Sequence, residues 1–167
     1  ETKSVTWDIV TAGGGGLMRG VAQGLFEPIT AEMVNQSDVL DGAKNPYGVP
    51  SEIFSTLIGF STKAFPAGGA QPKTFAAFFG VAKFPGKRTL PDKPETVLEA
   101  ALLADGVPAG DVYKTLSTDA GMKRALDKIA ALKPNVAVWW SSGAQPVQAL
   151  GAGDVVMALG WNGRFQA

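Results

Sequence analysis

Trp161 and Arg164 stand three residues apart in Leu159-Gly-Trp-Asn-Gly-Arg164, at the end of the apolar run Val155 to Trp161. An indole face holds a cation or the methylene body of a ligand. A guanidinium clamps a carboxylate through two parallel hydrogen bonds. Taken alone, Trp161 reads as core packing and Arg164 as an exposed ion-pair partner. Side by side after a strand, they point to a small-molecule site. A second run, Val138-Trp-Trp-Ser-Ser-Gly-Ala-Gln145, joins a strand to a helix start through Ser142, Gly143, Ala144 and Gln145. In open α/β sheets, ligands gather beyond the carboxyl ends of strands, where such turns collect.

A third stretch, Thr11-Ala-Gly-Gly-Gly-Gly-Leu-Met-Arg-Gly20, follows the short run Val5 to Val10. Strand, glycines and helix are the parts of a phosphate cradle, but the spacing fails. The dinucleotide pattern wants a sixth-place glycine where Met18 or Arg19 stands. The P-loop pattern from Gly15 to Gly20 meets Val21 where lysine is required. Two readings remain. Gly13, Gly14 and Gly15 offer bare N–H groups near a helix start to an acceptor or anionic group, or they form a tight turn that needs glycine conformations. Phe84-Pro-Gly-Lys-Arg88 reads as a solvated basic loop, with anion binding the weaker alternative. Asp105, Asp111 and Asp119 are spread over turns and caps, so no close carboxylate pair argues for hydrolysis.

Composition narrows the chemistry. The 167 residues contain no cysteine and no histidine, which removes thiol nucleophiles, disulfides, Cys/His zinc sites and imidazole acid–base catalysis. No cofactor motif or metal-ligand set is evident. Fifteen basic and fifteen acidic residues cancel, leaving no electrostatic footprint for nucleic acid or an anionic membrane. The chain begins with Glu1, so no signal peptide can be read from it. Its longest apolar stretches fall far short of the ~20 residues a membrane span needs, and a soluble chain is expected.

The elements that must position these residues alternate between strand and helix. Strands are expected at Val5–Val10, within Ile53–Ser61, at Val136–Trp140 and at Val155–Trp161. Helices are expected at Leu17–Gly24, after Thr74, from Pro94 to Ala104, after Thr118, and at Gln145–Ala152. On the Thr118 helix, Met122, Ala125, Leu126, Ile129 and Leu132 keep the 3.6-residue period. Gly106 is a natural helix stop. Residues 35–50 read as loop, and Ala64 to Pro72 as the best linker. The pattern predicts an α/β layer with a mainly parallel sheet.

In this order, the chain resembles the polyamine-binding branch of the periplasmic solute-binding proteins that serve bacterial ABC importers. The resemblance is carried by Val5-Thr-Trp-Asp-Ile-Val10, Gly24-Leu-Phe-Glu-Pro-Ile29 and Pro72-Lys-Thr-Phe-Ala-Ala-Phe-Phe79. It continues through Lys83-Phe-Pro-Gly-Lys-Arg88, Ala101-Leu-Leu-Ala-Asp-Gly-Val-Pro108, Trp140-Ser-Ser-Gly-Ala-Gln-Pro146 and Gly153-Asp-Val-Val-Met-Ala-Leu-Gly-Trp-Asn-Gly-Arg164. It implies a two-lobed type II periplasmic-binding-protein fold, here incomplete: residues 1–58 are part of lobe one, 59–167 most of lobe two, and Gly59-Phe60-Ser61 the crossing. It also implies a small-molecule ligand, a membrane ABC permease as partner, a periplasmic location, and neither catalysis nor a cofactor.

By the same resemblance, the pocket uses Gly13, Gly14 and Gly15, the turn Ser142-Gly143-Ala144-Gln145, and the aromatic Trp161. Polyamine binders carry a carboxylate three residues after that aromatic, where this chain has Arg164, and a second acidic position corresponds to Thr96. A guanidinium repels an ammonium group. The exchange therefore favours an amino-carboxylate such as γ-aminobutyrate, with Arg164 on the carboxylate and Trp161 along the chain. Putrescine or spermidine binding is the alternative. An α/β enzyme, or a truncated scaffold that binds nothing, are the readings from other classes.

Overall fold

Gly13 takes an extended conformation (φ −71°, ψ 163°) and hands the chain to helix α1, Gly14–Ala22. The structure, a computed structural model, describes residues 6–166. It divides into two units, Glu1–Ile53 and Phe54–Ala167. In the first, α1 opens on the glycine row itself rather than at Leu17, and the chain leaves it through Gly24 at φ +66°. Gly20 is buried under the Phe26 ring, where a β-carbon would lie 2.1 Å from the nearest ring atom. A 3₁₀ turn at Asp41–Ala43 and an isolated bridge between Asn45 and Gly48 complete the unit. The expected strand at Val5–Val10 is absent over residues 6–10, and Val5 lies outside the described residues. A strand needs a neighbour for its N–H and C=O groups, and the described part of this unit supplies none.

The second unit holds the packed core. Its elements are β1 (Thr56–Phe60), α2 (Phe75–Phe79), β2 (Arg88–Pro91), α3 (Val97–Ala104), α4 (Val112–Leu116), α5 (Asp119–Leu132), β3 (Val136–Trp140), α6 (Gln145–Ala152), β4 (Met157–Trp161) and α7 (Asn162–Gln166). The strands form one mixed sheet in the order β1-β4-β2-β3. β2 runs parallel to both β3 and β4, whereas β1 is antiparallel to β4, with Thr56 opposite Trp161. β2 is buried throughout and β4 from Met157 to Gly160, as strands covered on both faces must be. Phe78, Leu90, Leu102, Leu132, Met157 and Leu159 are the largest apolar side chains of the fully enclosed core.

Local chemistry explains the helices. The Thr74 and Thr118 hydroxyls accept from the N–H groups of Ala77 (3.1 Å) and Gly121 (3.0 Å), N-capping α2 and α5. α3 ends in a Schellman motif. Val107 N–H reaches Leu102 O at 3.0 Å, Gly106 N–H reaches Leu103 O at 3.2 Å, and Gly106 sits at φ +85°. α3 starts at Val97, three residues after Pro94, because Thr96 at φ +75° cannot join a right-handed helix. On α5 the expected apolar face is narrower: Leu126 is 51% exposed.

Two expectations are corrected outright. Ala64–Pro72 is no linker. Phe65 is buried edge-on between Phe60 and Phe84, and Pro72 is fully enclosed. Its glycines and prolines shape a loop over the core. Nor is Phe84–Arg88 a solvated basic loop. Arg88 opens β2 with its side chain fully buried, and its guanidinium donates to the carbonyls of Phe78, Gly86 and Phe84. No described helix is long and apolar enough to cross a membrane.

Candidate ligand-binding site

The parallel arrangement brings the carboxyl ends of β2, β3 and β4 to one edge of the sheet, and the antiparallel β1 adds its amino end there. Pro91 pairs with Trp140, and Thr56 with Trp161. The segments that continue from these ends are Asp92–Thr96, Ser141–Ala144 and α7, with Phe54 and Ser55 leading into β1. In open α/β sheets, ligands bind outside the carboxyl ends of the strands, which is this edge.

Trp161 is its centre. Its ring lies edge-to-face with buried Trp140 (5.4 Å between centroids, 89°) and tilted against Phe54 (5.5 Å). The Trp140 indole N–H donates to Leu159 O at 2.9 Å, which fixes that ring from within the core. Gly143 is buried against Trp161, with its ideal β-carbon 2.5 Å from the indole and 3.5 Å from Arg164 Nε. Trp161, Gly143 and Arg164 thus converge at one point. Arg164 is exposed and makes no ion pair with a described carboxylate.

The Ser141–Ala144 turn is internally braced. Gln145 Oε1 accepts from both Ser141 N–H and Ser142 N–H at 2.9 Å, and Gln145 N–H donates to Ser142 O at 3.0 Å. Two amides of this turn are therefore already occupied, and Gln145 shapes the turn by holding its backbone. α7 is anchored by a reciprocal pair: Ser55 N–H donates to Asn162 Oδ1, and Asn162 N–H to Ser55 O, both at 2.9 Å.

Sequence reading overlooked Lys93. Its ammonium lies over the Trp161 ring, 5.5 Å from the centroid. The signal was hidden because β2, an Arg-Thr-Leu-Pro strand, has no recognisable pattern, so nothing marked Lys93 as the residue beyond a strand end. Asn162 and Phe54 were missed for the same reason: their partners are remote in sequence.

Gly13, Gly14 and Gly15 belong to the first unit. Gly13 is the N-cap residue of α1, and Gly14 and Gly15 its first turn, with no side chain capping their N–H groups. None of them has a positive φ, and a β-carbon on Gly13 or Gly14 would meet nothing within 4 Å. Neither conformation nor crowding inside this unit demands glycine at 13 and 14.

A concave surface of about 460 Å³ lies along α5 between Asp105, Lys123, Arg124, Asp127 and Lys128. Its charges are mutually paired, with Asp105 bridging Arg124 and Lys128, and Lys123 on Asp127. It is a solvated charge network, away from the strand ends.

The α/β unit thus gathers at its strand ends an indole and two cations, Lys93 and Arg164, that pair with no described carboxylate. The chain belongs to the bacterial extracellular solute-binding protein family, whose pattern matches residues 1–167. It is 43% identical over 169 residues to the γ-aminobutyric acid-binding protein of Pseudomonas aeruginosa, covering all of this chain and 47% of that protein. Among solved structures, it resembles the binding protein MotA of A. tumefaciens B6 in complex with glucopine (42% identity, TM-score 0.81, 89% of this chain and 45% of that one). It also resembles a GABA receptor (34% identity, TM-score 0.83, 97% and 48%). The chain thus spans about half the length of these relatives, and over that half it has the α/β fold of the type II periplasmic binding proteins.

Proposed function

We propose that this chain is part of the extracytoplasmic solute-binding component of an ABC importer, capturing a small amino-carboxylate and delivering it to a membrane permease. γ-Aminobutyrate is the favoured ligand. One observation carries the reading: Arg164 projects beside Trp161 at the strand-end edge with no described carboxylate to neutralise it. A guanidinium so placed attracts a carboxylate and repels a diamine. The names of two relatives, a γ-aminobutyric acid-binding protein and a GABA receptor, support the same ligand class.

In this reading, Trp161 lies along the ligand's methylene chain, and Ser142, Gly143, Ala144 and Gln145 wall it. The α1 first-turn amides of Gly13, Gly14 and Gly15 serve as ligand-facing groups of the first unit, whose lack of side chains leaves room for a bound molecule. The first unit, Glu1–Ile53, is assigned to lobe one and the second, Phe54–Ala167, to lobe two. The function is binding and delivery, with ligand contacts driving a conformational closure.

Calorimetry on the full-length protein tests this. γ-Aminobutyrate is expected to bind, and Arg164→Ala to weaken it by about 10²-fold, the range for truncating one partner of a charge pair. Tight putrescine binding without response to γ-aminobutyrate, or no loss on Arg164→Ala, would overturn the reading.

A further inference from the structure

Lys93 lies between two carboxylate residues of its own loop, Asp92 and Glu95 being its near neighbours in sequence. It nevertheless pairs with no described carboxylate, and its ammonium sits over Trp161 instead. The backbone of the loop that carries it is fixed on both sides of Lys93. Asp92 N–H donates to Trp140 O at 2.8 Å, tying the loop to β3. Pro94 restricts Lys93 to extended backbone. Leu98 N–H donates to Pro94 O at 3.1 Å, and Thr96 is held at φ +75°. A residue kept in so sparsely populated a conformation is over-determined by its surroundings, a condition that clusters at ligand sites.

We propose that Lys93 sets the ligand class at this edge. Its ammonium occupies the Trp161 face that an amine of a ligand would otherwise take. With Arg164 it gives the edge two cations that receive a carboxylate and turn away a diamine. The charge of Lys93 is thus a repulsive element against polyamines as well as an attractive one for acids. This rests on the strand-end edge being the ligand site, as argued above, but not on γ-aminobutyrate being the ligand.

The test is calorimetry on the full-length protein with γ-aminobutyrate, succinate and putrescine, comparing wild type with Lys93→Arg, Lys93→Met and Lys93→Glu. Lys93→Met should weaken whichever carboxylate the wild type binds by about tenfold, Lys93→Arg should largely preserve it, and Lys93→Glu should strengthen putrescine by about tenfold or more. Unchanged carboxylate affinity in Lys93→Met, or no gain of putrescine in Lys93→Glu, overturns the proposal. Wild-type protein that binds succinate but not γ-aminobutyrate, and loses succinate affinity in Lys93→Met, refutes the γ-aminobutyrate reading while supporting Lys93. Wild-type protein that prefers putrescine, or binds none of the three, refutes both.

Discussion

The indole of Trp161 closes on Gly143 so tightly that a β-carbon at position 143 would lie 2.5 Å from the ring. Real β-carbons do not approach that closely, so a residue larger than glycine must push the ring away. Trp161 is in turn wedged between Trp140 and Phe54, and its displacement would be felt along the whole edge.

Gly143→Ala should therefore cost about 1–3 kcal/mol of stability, the range for overpacking a filled space. If Trp161 lies along the ligand as proposed, affinity should fall by about tenfold or more, because the ring has moved. Urea unfolding and calorimetry on the same preparation check both. Wild-type affinity in a destabilised Gly143→Ala protein would show that the ring's position does not matter to binding.

Arg88 gives a prediction of a different kind. Its guanidinium serves three carbonyls, and burial pushes it down from the ordinary arginine value, as a cation held away from water must be. Arg88→Met leaves those acceptors without donors, and a loss of about 3–5 kcal/mol is expected. Arg88→Lys should recover little, since one ammonium cannot reproduce the planar fork. Denaturant titration of the three proteins decides the matter.

Thr96 should behave in the opposite sense. A β-branched residue at φ +75° is strained, and Thr96→Gly relieves that strain at the expense of greater freedom in the unfolded chain. A net gain of about 1 kcal/mol is expected. A loss on the same substitution would mean that contacts of the threonine side chain outweigh the backbone cost.

Asp105 links stability to pH. Its carboxyl is held below the usual carboxylate range, first by the hydrogen bond from Arg124 and then by that from Lys128. A carboxyl depressed in the folded state adds stability that is fully present above its unfolded pKa of about 3.9 and is lost as pH falls through the folded value. Wild-type protein should lose this contribution below about pH 4, and Asp105→Asn should lack that component of the acid dependence. The group is a third exposed, so the difference should be small and should narrow at ~1 M salt, where the Debye length is about 3 Å. An identical acid profile for the two proteins would contradict the assignment.

The elements legible in the sequence were those whose cues are local. Thr74 and Thr118 announce their helices through a hydroxyl that caps from the expected place, and Gly106 closes α3 because only its left-handed geometry lets both terminal bonds form. The Trp161–Arg164 and Ser142–Gln145 segments were visible for the same reason, each being a short strand-to-helix turn. What was not legible depends on partners far along the chain. β2 carries a charge at one end and proline at the other. It is a strand because β3 and β4 flank it and because three carbonyls satisfy Arg88. Ala64–Pro72 has the composition of a linker and the burial of a core loop, since Phe65 and Pro72 find space that composition cannot reveal. Lys93 belongs with these, being defined by an indole on another strand.

The short helix α7 divides its labour by position. Asn162 clasps Ser55, and Phe165 lies over the bare backbone of Gly59 and Gly160, where added β-carbons would fall 2.5 Å and 2.9 Å from its ring. These two residues secure the helix, while Arg164 between them bears no part of that attachment. Arg164 is therefore replaceable without rebuilding the scaffold. Should the strand-end edge hold the solute as proposed, its charge and its architecture are free to change independently.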